Sequence, residues 1–243
     1  MDWLLVLGAK SDIAKAVIYK FAESGFNIYL ACRNPSGMYN FTKDLAIRYG
    51  IKAETLDFDA LDFKSHEKFY RNIGEKPLGV VCAFGYLGDN EEAKSDFNEA
   101  RKIMETNYIG CVSILNIIAN DFEKRKKGFI IGISSVAGDR GRQSNYYYGS
   151  AKAGFTAYLS GLRNRLHRSG ISVLTVKPGF VRTQMTEGME LPPLLTAHPE
   201  KTARDIYKSW KKGKMTLYTK WFWRHIMLII KYIPETIFKR MSL

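Results

Sequence analysis

Short apolar runs rich in β-branched residues alternate along the chain with longer segments of helical periodicity. The runs predict seven strands, the last of them weaker, at residues 3–8, 26–32, 51–56, 78–84, 128–134, 171–177 and 214–219. A helical segment, SDIAKAVIYKFAESG, lies between the first two runs and ends at Gly25. Apolar strands separated by helices form a parallel sheet that is covered on both faces. The alternation predicts a single doubly wound α/β domain over residues 1–219, followed by a tail at residues 220–243.

Composition narrows the class of protein. Hydrophobic residues make up 46% of the 243 residues, which is enough for a substantial core. The three cysteines are odd in number and widely spaced, which predicts buried thiols in a reducing compartment, and the four scattered histidines suggest no metal site. The first residues lack the basic leader of a signal peptide, and no stretch approaches the roughly 18 apolar residues of a membrane span. We expect a cytoplasmic protein.

Positive charge is concentrated near the C-terminus. The net charge is +13, and residues 199–243 hold eleven Lys and Arg against three acids, which leaves only +5 for the rest of the chain. A basic excess this local predicts an anionic surface as a partner. No nucleic-acid recognition motif accompanies the charge, so we expect a membrane surface and no nucleic acid.

The stretch SNYYYGSAKAG, residues 144–154, places three tyrosines shortly before a lysine. On a helix, residues four apart lie on one face, so Tyr148 alone of the three is paired with Lys152. A lysine ammonium beside a phenol stabilises the phenolate form. The spacing predicts that Tyr148 donates or accepts a proton.

A strand-to-helix turn, GAKSDIA at residues 8–14, follows the first predicted strand. A glycine there lets the backbone approach a pyrophosphate, and the amide groups of the next helix face the anion. Ligands of doubly wound sheets bind at the carboxyl ends of the strands. Gly8 therefore predicts a phosphate-binding turn at that edge.

Several further motifs follow strand ends in the same order. The sequence resembles the short-chain dehydrogenase/reductase family over nearly its whole length, because it combines Gly8, Asp59, Asn107, Ser135, Tyr148, Lys152 and the segment PGFVRT at 178–183. The resemblance implies a Rossmann-type domain, an oxidoreductase activity and a homodimer or homotetramer. One departure is AFG at residues 83–85, where the family has Asn-Ala-Gly.

The resemblance also implies roles for individual residues. Tyr148 would protonate a carbonyl oxygen, Ser135 would hold that oxygen, Lys152 would tune the tyrosine and hold the nicotinamide ribose, and Asn107 would support a water-linked proton path. Cofactor contacts would come from Gly8, Lys10, Ser11, Asp12, Ile13, Arg33, Asp59, Ala60, Ala83, Gly85, Tyr148, Lys152, Pro178, Gly179, Val181 and Thr183.

The second strand predicts which nicotinamide cofactor is used. An acidic residue at its end would bind the ribose 2′-hydroxyl of NAD, whereas an arginine accommodates the 2′-phosphate of NADP. This strand ends in ACRN, with Arg33 and no acid, and Lys10 adds a second positive charge nearby. We expect NADPH to be preferred over NADH.

Particular segments narrow the substrate. AFGYLGD at 83–89, SSVAGDRGRQSNYYYGSAKAG at 134–154 and KPGFVRTQM at 177–185 resemble the branch that contains decaprenylphosphoryl-2-keto-ribose reductase. This resemblance implies reduction of a keto-sugar linked to a polyprenyl phosphate, in cell-envelope polysaccharide synthesis. Two alternatives remain open, a soluble reductase of an acyl or steroid-like ketone and a non-catalytic NADP-binding scaffold.

The tail, residues 220–243, is predicted to form a basic amphipathic helix that Pro234 interrupts. A helical wheel places Lys220, Arg224 and Lys231 together, and most of the opposite side is apolar: Phe222, Ile226, Ile229, Ile230 and Ile233. This pattern is typical of a helix in the headgroup region, and equally of a helix that packs on its own domain. Arg140 and Arg142, just before Tyr148, also have two interpretations. They bind a lipid phosphate beside the substrate opening, or they are loop charges exposed to water.

Overall fold

Seven parallel strands form one sheet in the order β3-β2-β1-β4-β5-β6-β7. The computed structural model describes residues 1–241, so the last two residues of the predicted tail lie outside it. Each strand lies within two residues of its predicted position, and the seven-stranded parallel sheet is confirmed. The strands are β1 (Trp3–Leu7), β2 (Asn27–Cys32), β3 (Ala53–Asp57), β4 (Gly79–Cys82), β5 (Phe129–Ile133), β6 (Ser172–Pro178) and β7 (Thr216–Thr219).

Helices cover both faces of the sheet, as the apolar strands require. They are α1 (Asp12–Ala22), α2 (Tyr39–Tyr49), α3 (His66–Asn72), α4 (Glu92–Ser95), α5 (Phe97–Met104), α6 (Gly110–Arg125), α7 (Tyr146–Leu166), α8 (Pro199–Lys211), α9 (Trp223–Tyr232) and α10 (Glu235–Phe238). Short 3₁₀ turns lie at Pro35–Met38, Val136–Asp139, His167–Ser169 and Gln184–Thr186.

Alternate residues of each central strand enter opposite halves of the core. In β1, Leu4 and Val6 pack with α1, α2 and α8, whereas Leu5 and Leu7 pack with α3, α6 and α7. All four are fully buried, which accounts for the continuous apolar run in the sequence. The order of strands reverses at β1, between β2 and β4, and this reversal opens a crevice at their carboxyl ends.

A turn of π-helix at Glu105–Ile109 joins α5 to α6. Its widened backbone contains Asn107, whose side chain is fully buried and donates from Nδ2 to the carbonyl oxygens of Ile103, at 2.8 Å, and Tyr86, at 2.5 Å. Single π-helical turns occur frequently at functional sites. The sequence predicted a plain helix here, so this turn is a finding of the structure.

The tail helix α9 packs on the domain along one face. Trp223 and Met227 are buried against Val136, while Ile229 is exposed, so the predicted apolar face was wrong in this detail. The reason is that α9 begins at Trp223, after Lys220 has turned the chain with a positive φ of 53°. The buried stripe therefore runs through Trp223 and Met227, four residues apart.

A second face of the tail is exposed. It carries apolar and aromatic side chains, Trp221, Leu228, Ile229, Tyr232 and Ile237, interspersed with Arg224, Lys231, Lys239 and Arg240. Of the helices in residues 1–241, none is both long and apolar enough to cross a bilayer.

Candidate active site

A cavity of about 1230 Å³ lies at the carboxyl ends of the strands, where β1 and β4 meet. Seventeen residues that the sequence predicted for the site line it, so the fold brings distant parts of the chain to one place. Apart from Asn107, which lies behind the wall, every predicted site residue lines this cavity: Gly8, Lys10, Ser11, Asp12, Ile13, Arg33, Asp59, Ala60, Ala83, Gly85, Ser135, Tyr148, Lys152, Pro178, Gly179, Val181 and Thr183.

Gly8 forms the tight turn at the floor of the cavity. Its φ of +84° lies in the left-handed region, and a Cβ there would lie 2.5 Å from the backbone nitrogen of Phe84. The backbone of Phe84, in the AFG segment that departs from the family pattern, thus lies directly against Gly8. Beyond the turn, Ser11 is the N-cap of α1 but makes no side-chain cap hydrogen bond. The first amide groups of α1 are thus available to an anion.

Positive charge gathers at the β2 end of the cavity. Lys10 and Arg33 both line it, and Lys10 Nζ donates to the carbonyl oxygen of Asn34 at 2.9 Å, which ties the first turn to the end of β2. Lys102, which sequence reasoning missed, lines the same cavity from α5. A hydrogen bond with the Tyr86 side chain raises the pKa of Lys102. An anion bound here would meet three cationic side chains.

The two predicted aspartates have different partners. Asp12 accepts a hydrogen bond at its Oδ2 from the backbone nitrogen of Gln184 at 2.8 Å, so it ties α1 to the turn at Gln184–Thr186. Asp59 accepts from the backbone nitrogen of Leu61 at 3.0 Å. The buried ring of His66 lies 2.9 Å from the carbonyl oxygen of Asp59 and holds this loop in place.

Lys152 is held by the end of β5. Its side chain is only 3% exposed, and Nζ donates to the carbonyl oxygen of Ile133 at 3.2 Å. Ser134 Oγ donates to the carbonyl oxygen of Lys152 at 3.0 Å, which fixes α7 against the strand. Nζ also lies 5.6 Å from the centre of the Tyr148 ring. The ammonium group therefore lies beside the tyrosine, as the spacing predicts.

Asn107 and Lys152 meet at Gly85. A Cβ at Gly85 would lie 3.0 Å from Asn107 Oδ1 and 3.4 Å from Lys152 Nζ, so a larger residue would be wedged between them. The backbone nitrogen of Tyr86 donates to the same Oδ1 at 3.2 Å. Gly85 keeps these two polar groups close together beneath the cavity wall.

Ser135 begins the turn at Val136–Asp139. Its Oγ accepts a hydrogen bond from the backbone nitrogen of Ala137 at 3.1 Å. A hydroxyl that accepts one hydrogen bond still has its own proton to donate. Ser135 and Tyr148 line one cavity and so present two hydroxyl groups to a ligand there.

The other two tyrosines of the run pack on each other. The rings of Tyr146 and Tyr147 lie 4.4 Å apart at their centres, and neither ring lines the cavity. A hydrogen bond with Tyr146 raises the pKa of Tyr147. The structure therefore distinguishes Tyr148 from its neighbours by position as well as by its lysine.

The two loop arginines, Arg140 and Arg142, have different partners in the structure. Arg140 donates from Nη1 to the carbonyl oxygens of Lys231 and Ile233 at the end of α9, and from Nη2 to Glu235 at 2.6 Å. It caps the tail helix, which neither sequence alternative anticipated. Arg142 lines the cavity, where burial lowers its pKa.

Other lining residues carry no signal that a single sequence reveals. Trp223 comes from the tail and reaches the cavity because Gly179 leaves room for its indole ring. Asn90, Asn145, Met185 and Met189 also line the cavity. Their residue types are common in loops, so only the fold singles them out.

Comparisons with known proteins agree with this geometry. A short chain dehydrogenase family model matches residues 2–192. An uncharacterized oxidoreductase of Mycobacterium tuberculosis is 34% identical over 241 residues, which cover 98% of this chain and 96% of the relative. A very-long-chain 3-oxoacyl-CoA reductase of Neurospora crassa is 26% identical, over 96% of this chain and 72% of that protein.

A solved structure has the same fold. A short-chain dehydrogenase from Sphingobium yanoikuyae, in complex with NADPH, superposes with a TM-score of 0.84 at 19% identity, and the match covers 97% of both chains. The family model spans most of the chain, and the Mycobacterium relative is similar from end to end. The chain therefore belongs to the short-chain dehydrogenase family of oxidoreductases.

Proposed function

We propose that the protein reduces a ketone with NADPH, and that Tyr148, Ser135, Lys152 and Asn107 perform the proton chemistry. The observation that carries the proposal is the buried Lys152 ammonium, which lies beside the Tyr148 ring and meets Asn107 at Gly85. A non-catalytic scaffold has no need of this arrangement. Turnover of any ketone would exclude that alternative.

The reaction divides simply between cofactor and protein. Bound NADPH would supply a hydride to the carbonyl carbon. Tyr148 donates the proton that the carbonyl oxygen needs, and the Ser135 hydroxyl donates a hydrogen bond to the same oxygen, where negative charge develops. Lys152 stabilises the resulting phenolate, and Asn107 Oδ1 supports the path by which a proton returns to it. One hydride and one proton convert the ketone to an alcohol.

The residues present fit NADPH. The left-handed turn at Gly8 and the uncapped start of α1 suit a pyrophosphate, and Lys10 and Arg33 suit a 2′-phosphate. The cavity is larger than the about 300–1,000 Å³ of most small-molecule sites, which leaves room for a dinucleotide and a substrate together. The structural neighbour in complex with NADPH supports the same cofactor.

Replacing Arg33 by aspartate tests the cofactor preference. We expect Arg33→Asp to shift preference from NADPH toward NADH, because it removes a phosphate partner and supplies an acceptor for a ribose hydroxyl. A charge-assisted hydrogen bond of this kind corresponds to about tenfold or more in affinity. Titrating both cofactors against wild type and variant measures the change, and a wild-type preference for NADH would contradict the assignment.

The substrate we propose is a keto-sugar linked to a polyprenyl phosphate. The segment resemblances support it, and so does the composition of the cavity, which combines polar groups near Tyr148 with the half-exposed methionines Met185 and Met189. An acyl ketone is the second candidate, since one relative is named as a 3-oxoacyl-CoA reductase.

The exposed face of the tail supports peripheral binding at the inner face of the membrane. Trp221, Ile229 and Tyr232 alternate there with Arg224 and Lys231. Each basic residue near an anionic surface contributes about 1 kcal/mol, and aromatic residues favour the interface. We propose a cytoplasmic homodimer or homotetramer that docks on the bilayer through this face, next to a lipid-linked substrate.

Hydride labelling tests the proposed substrate directly. NADPH that carries deuterium at the transferred position is incubated with the protein and extracted membrane lipids, and the products are examined by mass spectrometry. We expect deuterium in the sugar of a polyprenyl-phosphate lipid with wild type and none with Tyr148→Phe. Deuterium in a hydroxyacyl lipid would instead favour the second candidate, and a label in no lipid-linked sugar contradicts the proposal.

A further inference from the structure

Three polar side chains of the cavity wall each have an atom that is shielded from solvent and has no hydrogen-bond partner among residues 1–241. They are Arg142 at Nε, Asn90 at Oδ1 and Asn145 at Oδ1. All three residues line the cavity. A buried polar atom without a partner costs free energy, so such atoms are rare in native structures, and three of them in one cavity are suited to pair with polar groups of a ligand.

The guanidinium of Arg142 gives the strongest of these observations, because it carries a charge that has no anionic partner among the described residues. In the described part of the chain, no carboxylate lies within 4.0 Å of its guanidinium, and the only acceptor at Nη2 is the weak one offered by Met227 Sδ, at 3.3 Å. Asp139, the nearby acid, is already engaged by Lys177 and by the Tyr218 hydroxyl. A partly buried guanidinium without an anion is costly, and a bound anion offsets that cost.

The two asparagines flank this group on connected segments. Asn90 Nδ2 donates to the carbonyl oxygen of Gln143 at 3.2 Å, which holds Asn90 against the residue that follows Arg142. Asn145 is the N-cap of α7 but makes no side-chain cap hydrogen bond, although capping is the usual role of an asparagine there. Each Oδ1 is an acceptor and is therefore available to a hydroxyl group that a ligand donates.

We propose that Arg142 binds a phosphate group carried by the ketone substrate, and that the Oδ1 atoms of Asn90 and Asn145 accept hydrogen bonds from hydroxyl groups of the same substrate. The inference rests on the proposed function, because the phosphate would hold the ketone next to Tyr148. A guanidinium matches a phosphate with two parallel hydrogen bonds, which a lysine cannot reproduce. Arg142 then sets specificity at one end of the cavity, and Lys10 and Arg33 bind the cofactor phosphate at the other.

The test measures binding apart from turnover. Farnesyl phosphate and inorganic phosphate are titrated by calorimetry into the protein in saturating NADP. We expect Arg142→Met to weaken farnesyl phosphate binding about ten- to one-hundred-fold, and Arg142→Lys to keep part of the affinity. Arg168→Met is the matched control, since Arg168 is exposed and does not line the cavity, so its loss should leave this binding unchanged. Equal binding by wild type and Arg142→Met overturns the proposal.

Two further comparisons identify the source of the phosphate and test the role of the site. Farnesyl phosphate binding more tightly than inorganic phosphate supports a lipid-linked ester, and equal affinities support a soluble one. In turnover, Arg142→Met should raise KM for dihydroxyacetone phosphate by the same factor and leave kcat/KM for dihydroxyacetone unchanged. A proportional loss with both ketones overturns the inference, because it indicates a general structural role. Failure of wild type to reduce any ketone refutes the proposed function instead, while the binding titration still decides the role of Arg142.

Discussion

Replacing Tyr148 by phenylalanine is expected to lower kcat for ketone reduction by about two to four orders of magnitude, the usual contribution of a general acid. The substitution removes one hydroxyl and keeps the ring beside Lys152, so the fold and cofactor affinity should be nearly unchanged. Single-turnover oxidation of NADPH, followed by absorbance, measures the chemical step. A separate NADPH titration measures the affinity.

Two matched variants control this prediction. Tyr146→Phe and Tyr147→Phe remove the same hydroxyl from rings that pack on each other away from the cavity, so both should retain most activity. If Tyr147→Phe lost as much activity as Tyr148→Phe, the assignment of the proton donor would be wrong.

Replacing Trp223 by alanine is expected to destabilise the protein by about 3–5 kcal/mol, the range for a large aromatic residue removed from a core. Trp223 is 4% exposed, contacts Val136 and Met227, and donates from its indole nitrogen to the carbonyl oxygen of Leu195 at 3.2 Å. Its loss should also open the cavity wall beside Gly179. Chemical denaturation measures the change in the free energy of unfolding, and steady-state kinetics measures the effect on KM.

Trp221 offers a matched control two residues earlier. It is 74% exposed, so Trp221→Ala should change the free energy of unfolding by less than about 0.5 kcal/mol. Combined with Ile229→Gln and Tyr232→Ser, it removes the exposed aromatic and apolar face. We expect this triple variant to lose flotation with anionic phosphatidylglycerol liposomes and to keep its melting temperature. Undiminished liposome binding would contradict the membrane proposal.

These point variants separate an effect on folding stability from an effect on membrane binding, which a truncation of the tail would not do. Deleting the chain after Thr219 removes both the buried Trp223 and the exposed face, so stability, membrane binding and activity would fall together. The structure shows that the tail is a packed part of the domain on one side. Whether its other side binds a membrane is decided only by variants confined to the exposed residues.

The sequence alone determined the sheet and seventeen of the residues that line the cavity. Strands of a doubly wound domain are buried on both faces, so their apolar runs are visible without any partner. Gly8 and Ser135 come within two residues of the ends of β1 and β5, and Lys152 lies one helical turn after Tyr148 in α7. The parallel topology brings these strand ends together at one edge of the sheet. For these reasons the sequence located the strands to within two residues, and every residue predicted for the site except Asn107 lines the cavity at one edge of the sheet.

Tertiary structure alone decided the remaining features, because they depend on contacts between residues far apart in the chain. Arg140 and Arg142 have the same chemistry and lie two positions apart, yet Arg140 finds Glu235, 95 residues away, while Arg142 has no carboxylate partner among the described residues. Trp223 becomes part of the cavity wall only because the chain folds back over Gly179. Local sequence carries the pattern of a helix or a strand, but it does not record which distant side chain will satisfy a charge or fill a space.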